Sequence, residues 1–455
     1  MASVVTDRDP YRLSPESIEA PPRTFLSIYK RIGPGLILTA TVVGSGELVL
    51  TTVLGAESGY RLLWLILLSC IIKVVVHNEL GRLAIGTGRT TLEGFNQVPG
   101  PRIGVSWMVW LWFIVVVLSL FSVGGMLGGI SEILHRLIPA VSPAAWVAVV
   151  VSITIVLLMG GRYQLVERMA VVLVVVFTLL TIGCALLLLY RPEYFSWSRV
   201  AEGLTFQLPD GGFATAVAVF GGTGVGALEL IMYPYWCIEK GYARFAGPWE
   251  STPAWGQRAR GWMRVMEMDV WNSWLIYTVA TIAFYFLGAG VLGGLGIVPR
   301  GADMVLTLSN MFTEVLGPWS FYLFMVGALA VLYSTIFGGA AASSRTVADF
   351  VSVLGLYDRA NYRTRLLAIR VYVLAHFLLP CLFLYYFREP VLMVKIGGIT
   401  QALLLPIIGF ATLYLRYTSL PKEIEPRPWV TFALGTASFV MLVMMGYYVL
   451  LQIKF

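Results

Sequence analysis

Long apolar segments alternate with short polar ones along almost the whole chain. A helix needs about 20 apolar residues to cross the hydrocarbon core of a bilayer, and about eleven segments meet that length. The pattern therefore predicts an all-α polytopic membrane protein. The predicted spans are residues 34–55, 61–85, 105–132, 142–160, 166–190, 213–240, 268–297, 317–345, 366–387, 390–416 and 428–451.

Two of these spans are interrupted by residues that a simple membrane helix does not need. The first contains Gly44-Ser45-Gly46-Glu47, and the sixth contains Glu229 followed by Tyr233-Pro234-Tyr235. Each glycine weakens a helix by about 1 kcal/mol, an internal proline removes a hydrogen bond, and a carboxylate at membrane depth costs at least about 2.5 kcal/mol. Broken helices in corresponding positions of two halves form the substrate sites of secondary transporters.

The positions of the two interruptions divide the chain into repeated halves. Residues 33–416 are predicted to form the transporter core, with one five-helix repeat at about 33–190 and an inverted one at about 213–416. Residues 1–32 form a polar N-terminal tail, and residues 428–455 add one further helix and the C-terminus.

Composition excludes the soluble classes of protein. The chain is 58% hydrophobic and 13% charged, which no ordinary soluble domain matches. Its four Cys residues all lie in apolar segments, and no GxxxxGK[ST] sequence occurs, so neither a disulfide framework nor an ATPase is indicated. We expect no enzyme activity and no cofactor.

The charges predict an orientation in the membrane. Of the 32 Lys and Arg residues, seven lie in segments predicted outside, two (Lys73 and Lys395) lie within spans, and the other 23 lie in segments predicted inside. The positive-inside rule then places the N-terminus in the cytoplasm and the C-terminus outside, in a plasma or bacterial inner membrane. The net charge of +7 reflects these loops in contact with lipid, and no nucleic-acid partner is expected.

Three stretches of the chain carry a family resemblance: GPGLILTATVVGSGELVLTT, GYRLLWLILLSCIIKVVVHNELGRLAIGTGRT and ALAVLYSTIFGGAAAS. They resemble the first, second and eighth helices of NRAMP-type divalent metal transporters, which belong to the amino acid–polyamine–organocation superfamily. The resemblance implies a LeuT-type fold of five plus five inverted helices with helices 1 and 6 broken, and a divalent metal ion as substrate.

The chain departs from that family at the metal site itself. The family's Asp-Pro-Gly-Asn motif is replaced by Gly44-Ser45-Gly46-Glu47, and its Met-Pro-His by Tyr233-Pro234-Tyr235. Acids associated with proton movement in the third helix have no counterpart, because residues 107–128 contain no Asp or Glu. We therefore expect weak or no proton coupling.

Glu47 and Glu229 are the predicted metal ligands. The alternative for Glu47 is an internal pair with Lys73, Lys395 or a backbone amide, and for Glu229 a bond within its own helix break. Carboxylates without thiolate or thioether suit a hard ion such as Mg²⁺ or Mn²⁺. The substrate or ion site is predicted to comprise Gly44, Ser45, Gly46, Glu47, Glu229, Leu230, Tyr233, Tyr235 and Gln401. The alternative for Tyr233 and Tyr235 is packing between helices, and for Gln401 a hydrogen bond between helices.

A second ion or coupling site is the other candidate. Ser334 and Thr335 lie in span eight, where the wider fold often holds sodium, and the alternative is hydrogen bonding within the bundle. Lys73 and His77 are four residues apart and share a helix face. They are candidates either for a proton relay or for bracing the bundle.

An organic substrate is the competing interpretation. Gly44-Ser45-Gly46 also resembles the helix break of amino-acid transporters with the same fold, where backbone amides hold the substrate carboxylate. Tyr233, Tyr235 and Trp236 would then cover an organic side chain, and Glu47 would meet an amine. Both interpretations predict alternating access driven by an ion or substrate gradient. A sensor and an ion channel are the remaining classes, though no filter-like repeat is visible.

Overall fold

The computed structural model of the 455-residue chain describes residues 11–160, 164–207, 213–358 and 361–453. Within these ranges the protein is α-helical apart from one hairpin of two short strands, β1 (Arg102–Ile103) and β2 (Val105–Ser106). The first ten residues of the predicted tail and the last two of the predicted C-terminal segment lie outside the described residues.

The first half of the chain contributes nine α-helices among the described residues. They are α1 (Phe25–Tyr29), α2 (Pro34–Val42), α3 (Thr52–Ser58), α4 (Leu63–Thr87), α5 (Thr91–Phe95), α6 (Trp107–Leu137), α7 (Pro143–Gly160), α8 (Gln164–Leu188) and α9 (Trp197–Glu202).

The second half contributes ten more within the described ranges. They are α10 (Phe213–Gly222), α11 (Ala227–Lys240), α12 (Tyr242–Ala246), α13 (Pro253–Leu287), α14 (Gly293–Leu295), α15 (Met304–Leu316), α16 (Ser320–Val353), α17 (Tyr362–Phe387), α18 (Pro390–Ser419) and α19 (Pro428–Ile453). Several ends follow from local chemistry: Thr252 caps α13 ahead of Pro253, and Gly241 ends α11 at φ 98°, as N-caps and left-handed C-terminal glycines do.

Ten helical segments in the described part of the chain are long and apolar enough to cross a membrane. One of them, Gly46–Thr87, is 42 residues long, and Gly59 at φ 57° divides it into the second half of the first predicted span and all of the second. Pro34–Val42 supplies the other half of the first span. The prediction of about eleven spans in an all-α membrane protein is confirmed, and the protein is an integral multi-pass membrane protein.

Both predicted helix breaks are present. Helix 1 leaves α geometry after Val42 and resumes as a π-helix over Gly46–Thr51. Helix 6 ends at Gly222 and resumes at Ala227, with Gly224 at φ 58°. Pro234 was expected to contribute to this break, but it lies within the continuous helix α11. The backbone turns at Gly224, where glycine permits a positive φ, ten residues before the proline.

The centre of the bundle is formed by α18 packed on α6 and α10, and by α13 packed on α4. In the most apolar 18-residue stretches of the peripheral helices α7 and α19, only 11% and 28% of the residues are buried, so most of their apolar side chains face outward. Apolar outward faces are what a lipid environment requires. The segments at the two helix breaks are by contrast buried: 89% of the corresponding stretch of Phe213–Lys240 and every residue of Gly46–Thr51.

Candidate functional site

The two helix breaks contact each other directly. A Cβ atom on Gly46 would collide with the carbonyl oxygen of Gly222, and one on Gly44 would collide with Oγ1 of Thr335. Glycine at these positions lets the backbone of helix 1 approach the end of α10 and the side of α16. The close approach brings residues from both halves of the chain into one site.

The Glu47 carboxylate connects the two breaks. Its Oε1 accepts a hydrogen bond from the amide of Gly224 at 2.8 Å and a longer one from Thr281 at 3.4 Å. Its Oε2 accepts from the amide of Gly44 at 3.2 Å. The side chain is fully buried. Among the alternative partners predicted for Glu47, the structure shows backbone amides. Lys395 forms an ion pair with Glu57 instead, at 2.9 Å.

Lys73 provides a positive charge at the end of α10, where carbonyl oxygens lack partners. Its Nζ donates to the carbonyl oxygens of Phe220 at 2.9 Å and Thr223 at 2.5 Å. The last carbonyls of a helix have no partner within that helix and carry partial negative charge. A buried ammonium therefore satisfies the carbonyl end of the helix 6 break, while Glu47 satisfies amides.

A cavity of about 100 Å³ lies beside the two breaks. Four of the predicted site residues line it: Ser45, Gly46, Glu229 and Gln401. Thr335, predicted for a second ion site, also lines it. The rest of the lining is Leu38, Val42, Leu50, Ser119, Ser122, Val123, Met126, Gly222, Gly224, Leu228, Met232, Trp236, Gly339, Ala342, Ser343, His376, Val394 and Gly398.

Glu229 is the acid of this cavity. It lies in the first turn of α11, and its Oε2 is buried without a hydrogen-bond partner among the described residues. Gln401 lies beside it, with its Oε1 accepting from the amide of Leu228 at 3.2 Å. A Cβ atom built on Gly226 would lie 2.5 Å from both of these oxygens and 3.0 Å from the carbonyl oxygen of Gly221. Three acceptor oxygens therefore converge at the start of α11.

His376 is a cavity residue that sequence reasoning missed. Its Nδ1 lies 3.2 Å from the hydroxyl of Tyr372, and its Nε2 has no hydrogen-bond partner in the described part of the chain. The sequence offered only one signal, a histidine in an apolar span, and nothing in the spacing brings α17 to the breaks. Met232, one turn after Glu229, also lines the cavity and was not predicted, because a methionine in an apolar span is not distinguished from a packing residue.

Tyr233 and Tyr235 do not line this cavity, and of their two interpretations the structure shows contacts between helices. Tyr233 donates to Oδ2 of Asp269 at 3.1 Å, and Tyr235 donates to Oδ2 of Asp349 at 2.6 Å. Asp269 also accepts from the amides of Gly33 and Gly35 at the start of α2. Helical spacing turns both tyrosines away from the break and into contacts between helices. Gly44, Glu47 and Leu230 are likewise buried outside the lining of the cavity.

His77, Ser334 and Thr335, the other coupling candidates, make contacts within and between helices. The His77 ring packs edge-on against Tyr233 with centroids 4.1 Å apart, and neither ring nitrogen has a hydrogen-bond partner among the described residues. Ser334 and Thr335 each donate to the carbonyl oxygen of Val331 at 2.9 Å. The sodium and proton-relay roles remain predictions.

The N-terminal segment covers one end of the bundle. The Tyr11 hydroxyl donates to Oε1 of Glu239 at 2.7 Å, Arg345 pairs with the same carboxylate oxygen at 3.0 Å, and the Arg365 guanidinium lies 4.0 Å from the centroid of the Tyr11 ring. Burial raises the pKa of Tyr11 well above its ordinary value, so its hydroxyl stays protonated and donates. These contacts join the N-terminal segment to α11, α16 and α17.

Among the described residues, no three His, Cys, Asp or Glu side chains are grouped to hold a metal ion. The donor set at the start of α11 instead consists of one carboxylate oxygen, one carboxamide oxygen and a backbone carbonyl. These oxygen donors suit a hard cation that keeps part of its water shell, as Mg²⁺ usually does.

Comparison with known proteins identifies the relatives of this chain. An uncharacterized protein of Pasteurella multocida (strain Pm70) is 22% identical over 429 residues, which are 89% of each chain. A mutant of the manganese transporter of Eremococcus coleocola has a similar structure, with a TM-score of 0.65 and 16% identity over 95% of this chain and 90% of that one. The inward-facing conformation of Mhp1 matches with a TM-score of 0.54 and 16% identity, over 96% and 94% of the two chains.

The fold is therefore the LeuT-type architecture of these transporters, with helices 1 and 6 broken as predicted. The model of one sequence family, described as "Natural resistance-associated macrophage protein-like", matches residues 35–452. That match spans nearly the whole chain, and the protein belongs to the Nramp family.

Proposed function

We propose that this protein is a secondary transporter that carries a divalent cation across the membrane by alternating access. The observation that carries the proposal is the buried Oε2 of Glu229, which has no hydrogen-bond partner among the described residues and belongs to the cavity at the two helix breaks. Membership of the Nramp family and the likeness to a manganese transporter support a metal ion as the substrate.

The ligand chemistry favours a hard ion such as Mg²⁺ or Mn²⁺. Glu229, Gln401 and the Gly221 carbonyl supply oxygen atoms, and oxygen ligands suit these ions. The cavity of about 100 Å³ has room for several waters, so the ion can keep part of its hydration shell. The thioethers of Met126 and Met232 also lie in the lining, and they are soft donors available to a transition metal.

Uptake by purified protein in liposomes tests the proposal. Mg²⁺, Mn²⁺ and Ca²⁺ are offered to the wild type, to Glu229→Gln and to the control Glu202→Gln, which neutralises an exposed acid in α9. Glu229→Gln is expected to lower uptake at least about 10-fold, which corresponds to about 1.4 kcal/mol, while Glu202→Gln retains it. Equal divalent uptake by all three proteins would refute the role of Glu229.

A small organic solute is the second candidate, and the side chains beside Glu229 favour it. Trp236 and Met232 lie in the cavity wall, and an aromatic face beside a carboxylate suits an organic ammonium group. The same liposomes are therefore offered a pool of amino acids and simple amines. Accumulation of one of these in place of every divalent ion would make the protein an organic-solute carrier.

The orientation proposed for the protein follows from its loops. Most Lys and Arg residues lie in segments predicted inside, which places the N-terminus in the cytoplasm and the C-terminus outside in a plasma or inner membrane. Labelling single cysteines introduced at Arg23 and Arg427 from either side of sealed cells checks this. Both positions should react only from the cytoplasmic side.

A further inference from the structure

We infer that Glu47 is a positioning residue that determines specificity, because its carboxylate occupies the amides at both helix breaks and thereby excludes solutes that carry a carboxylate. The exclusion of such solutes rests on the proposed transport function. The hydrogen bonds from the two amides to Glu47 do not depend on that function, and acetate rescue tests them separately.

Backbone amides at a helix break form a ready-made anion site. Amides that have no carbonyl partner within a helix are free to donate to an anion, as the amides at helix N-termini do. In this protein the amides of Gly44 and Gly224 both donate to Glu47, one to each carboxylate oxygen. The anion that these amides attract is therefore supplied by the chain itself.

The carboxylate also holds the two breaks together. Glu47 and Gly224 are 177 positions apart in the sequence, and the contact joins helix 1 to helix 6. Thr281 of α13 adds a third, longer hydrogen bond to the same carboxylate. Since the side chain is fully buried, neither water nor a solute replaces it without displacing it from both breaks.

The remaining charges make the site selective for cations. Lys73 is directed onto the carbonyls of Phe220 and Thr223, so its charge offsets the negative end of α10. Glu229 is the acid that lines the cavity. A zwitterionic amino acid would find a partner for its ammonium group, whereas Glu47 already occupies the amides of Gly44 and Gly224 that would otherwise hold its carboxylate.

Chemical rescue of Glu47→Ala tests the occupancy of the amides. This variant removes the atoms of one acetate molecule from between the breaks. In detergent without divalent ions, its thermal midpoint is expected to fall by several degrees and to recover when sodium acetate, but not sodium chloride, is added. The wild type and Glu202→Ala should not respond to acetate. A folded Glu47→Ala protein that ignores acetate would overturn the inference.

Substrate competition supplies a second test that needs no variant. Glycine and methylamine differ by one carboxylate, and each is added at millimolar concentration to liposomes holding the wild-type protein. Glycine is expected to leave cation uptake unchanged, and inhibition by glycine would overturn the inference even if Glu47→Ala fails to fold. Acetate rescue without any divalent uptake would preserve the role of Glu47 while refuting the proposed transport of metal.

Discussion

Gly226 shows how a single residue without a side chain shapes the candidate site. It precedes α11, and the oxygens of Glu229, Gln401 and Gly221 surround the place where its Cβ would be. A methyl group there would separate acceptor atoms that otherwise converge. The absence of a side chain at this position therefore belongs to the chemistry of the site as much as the acid does.

We predict that Gly226→Ala lowers divalent uptake at least about 10-fold, or about 1.4 kcal/mol, because the new methyl group would overlap the oxygens of Glu229 and Gln401. Initial uptake rates in liposomes measure the effect. Gly183→Ala is the matched control, since a Cβ on Gly183 meets no atom within 4 Å. Equal loss in both variants would mean that the effect is general and not located at the site.

The buried acids of this protein also show that residue type alone does not reveal a role. Glu47 and Glu229 both interrupt apolar spans, yet Glu47 is bound by amides from two breaks and the Oε2 of Glu229 has no partner in the described structure. Sequence reasoning treated them as a pair. Which acid is already satisfied depends on backbone atoms far away in the chain, and no local pattern encodes that.

At the scale of the elements, the N-terminal segment acts as a cover over one end of the bundle. Tyr11 is buried against α11 and α17, Leu13 packs on Gly88 at the end of α4, and the Glu19 carbonyl accepts from the Trp262 indole. One segment therefore joins several helices at this end of the bundle. The proposed alternating access would require these contacts to break when this end opens.

We predict that Tyr11→Ala increases access to the cavity from the N-terminal side. The reporter is Ser343→Cys in the cavity lining, in a chain whose four native cysteines are replaced by alanine. Maleimide added from the N-terminal side should modify it several-fold faster in Tyr11→Ala than in the wild-type background.

Tyr11→Phe is the matched control for this measurement. It keeps the ring beneath Arg365 but loses the hydrogen bond to Glu239, so an intermediate rate is expected. Identical rates in all three backgrounds would show that the segment does not restrict access.

At the scale of the whole molecule, the positions of the acidic residues bear on whether the proposed transport is coupled to proton movement. Residues 107–128 of α6 contain no acid, and the first acid of that helix, Glu132, accepts from the amides of Val305 and Leu306 at 3.3 and 3.4 Å. It therefore caps α15. Along this helix, the described residues offer no chain of acids leading from the cavity.

We accordingly predict divalent uptake with little or no proton movement. A pH-sensitive dye enclosed in the liposomes should report no acidification that follows substrate entry, and dissipating a pH gradient should leave initial rates within about two-fold. Acidification that scales with uptake and vanishes in His376→Gln would instead assign a proton path through the cavity histidine.

The sequence by itself determined the class, the number of spans, the two broken helices and the family, because these depend on properties that accumulate along the chain. About 20 consecutive apolar residues define a span wherever they occur, and glycine at a break favours the turn locally. Ser45, Gly46, Glu229 and Gln401 were placed in the site for the same reason, as polar or small residues within apolar runs.

Only the tertiary structure decided what each side chain meets. In the folded protein Tyr233 and Tyr235 donate to Asp269 and Asp349, and His376 lies in the cavity wall. Glu47 accepts hydrogen bonds from amides at both breaks. In a bilayer every backbone polar group must be satisfied within the protein, but at a helix break the partner comes from whichever helix packs alongside. That choice is made by packing between segments remote in the sequence, which is why composition and spacing alone leave it open.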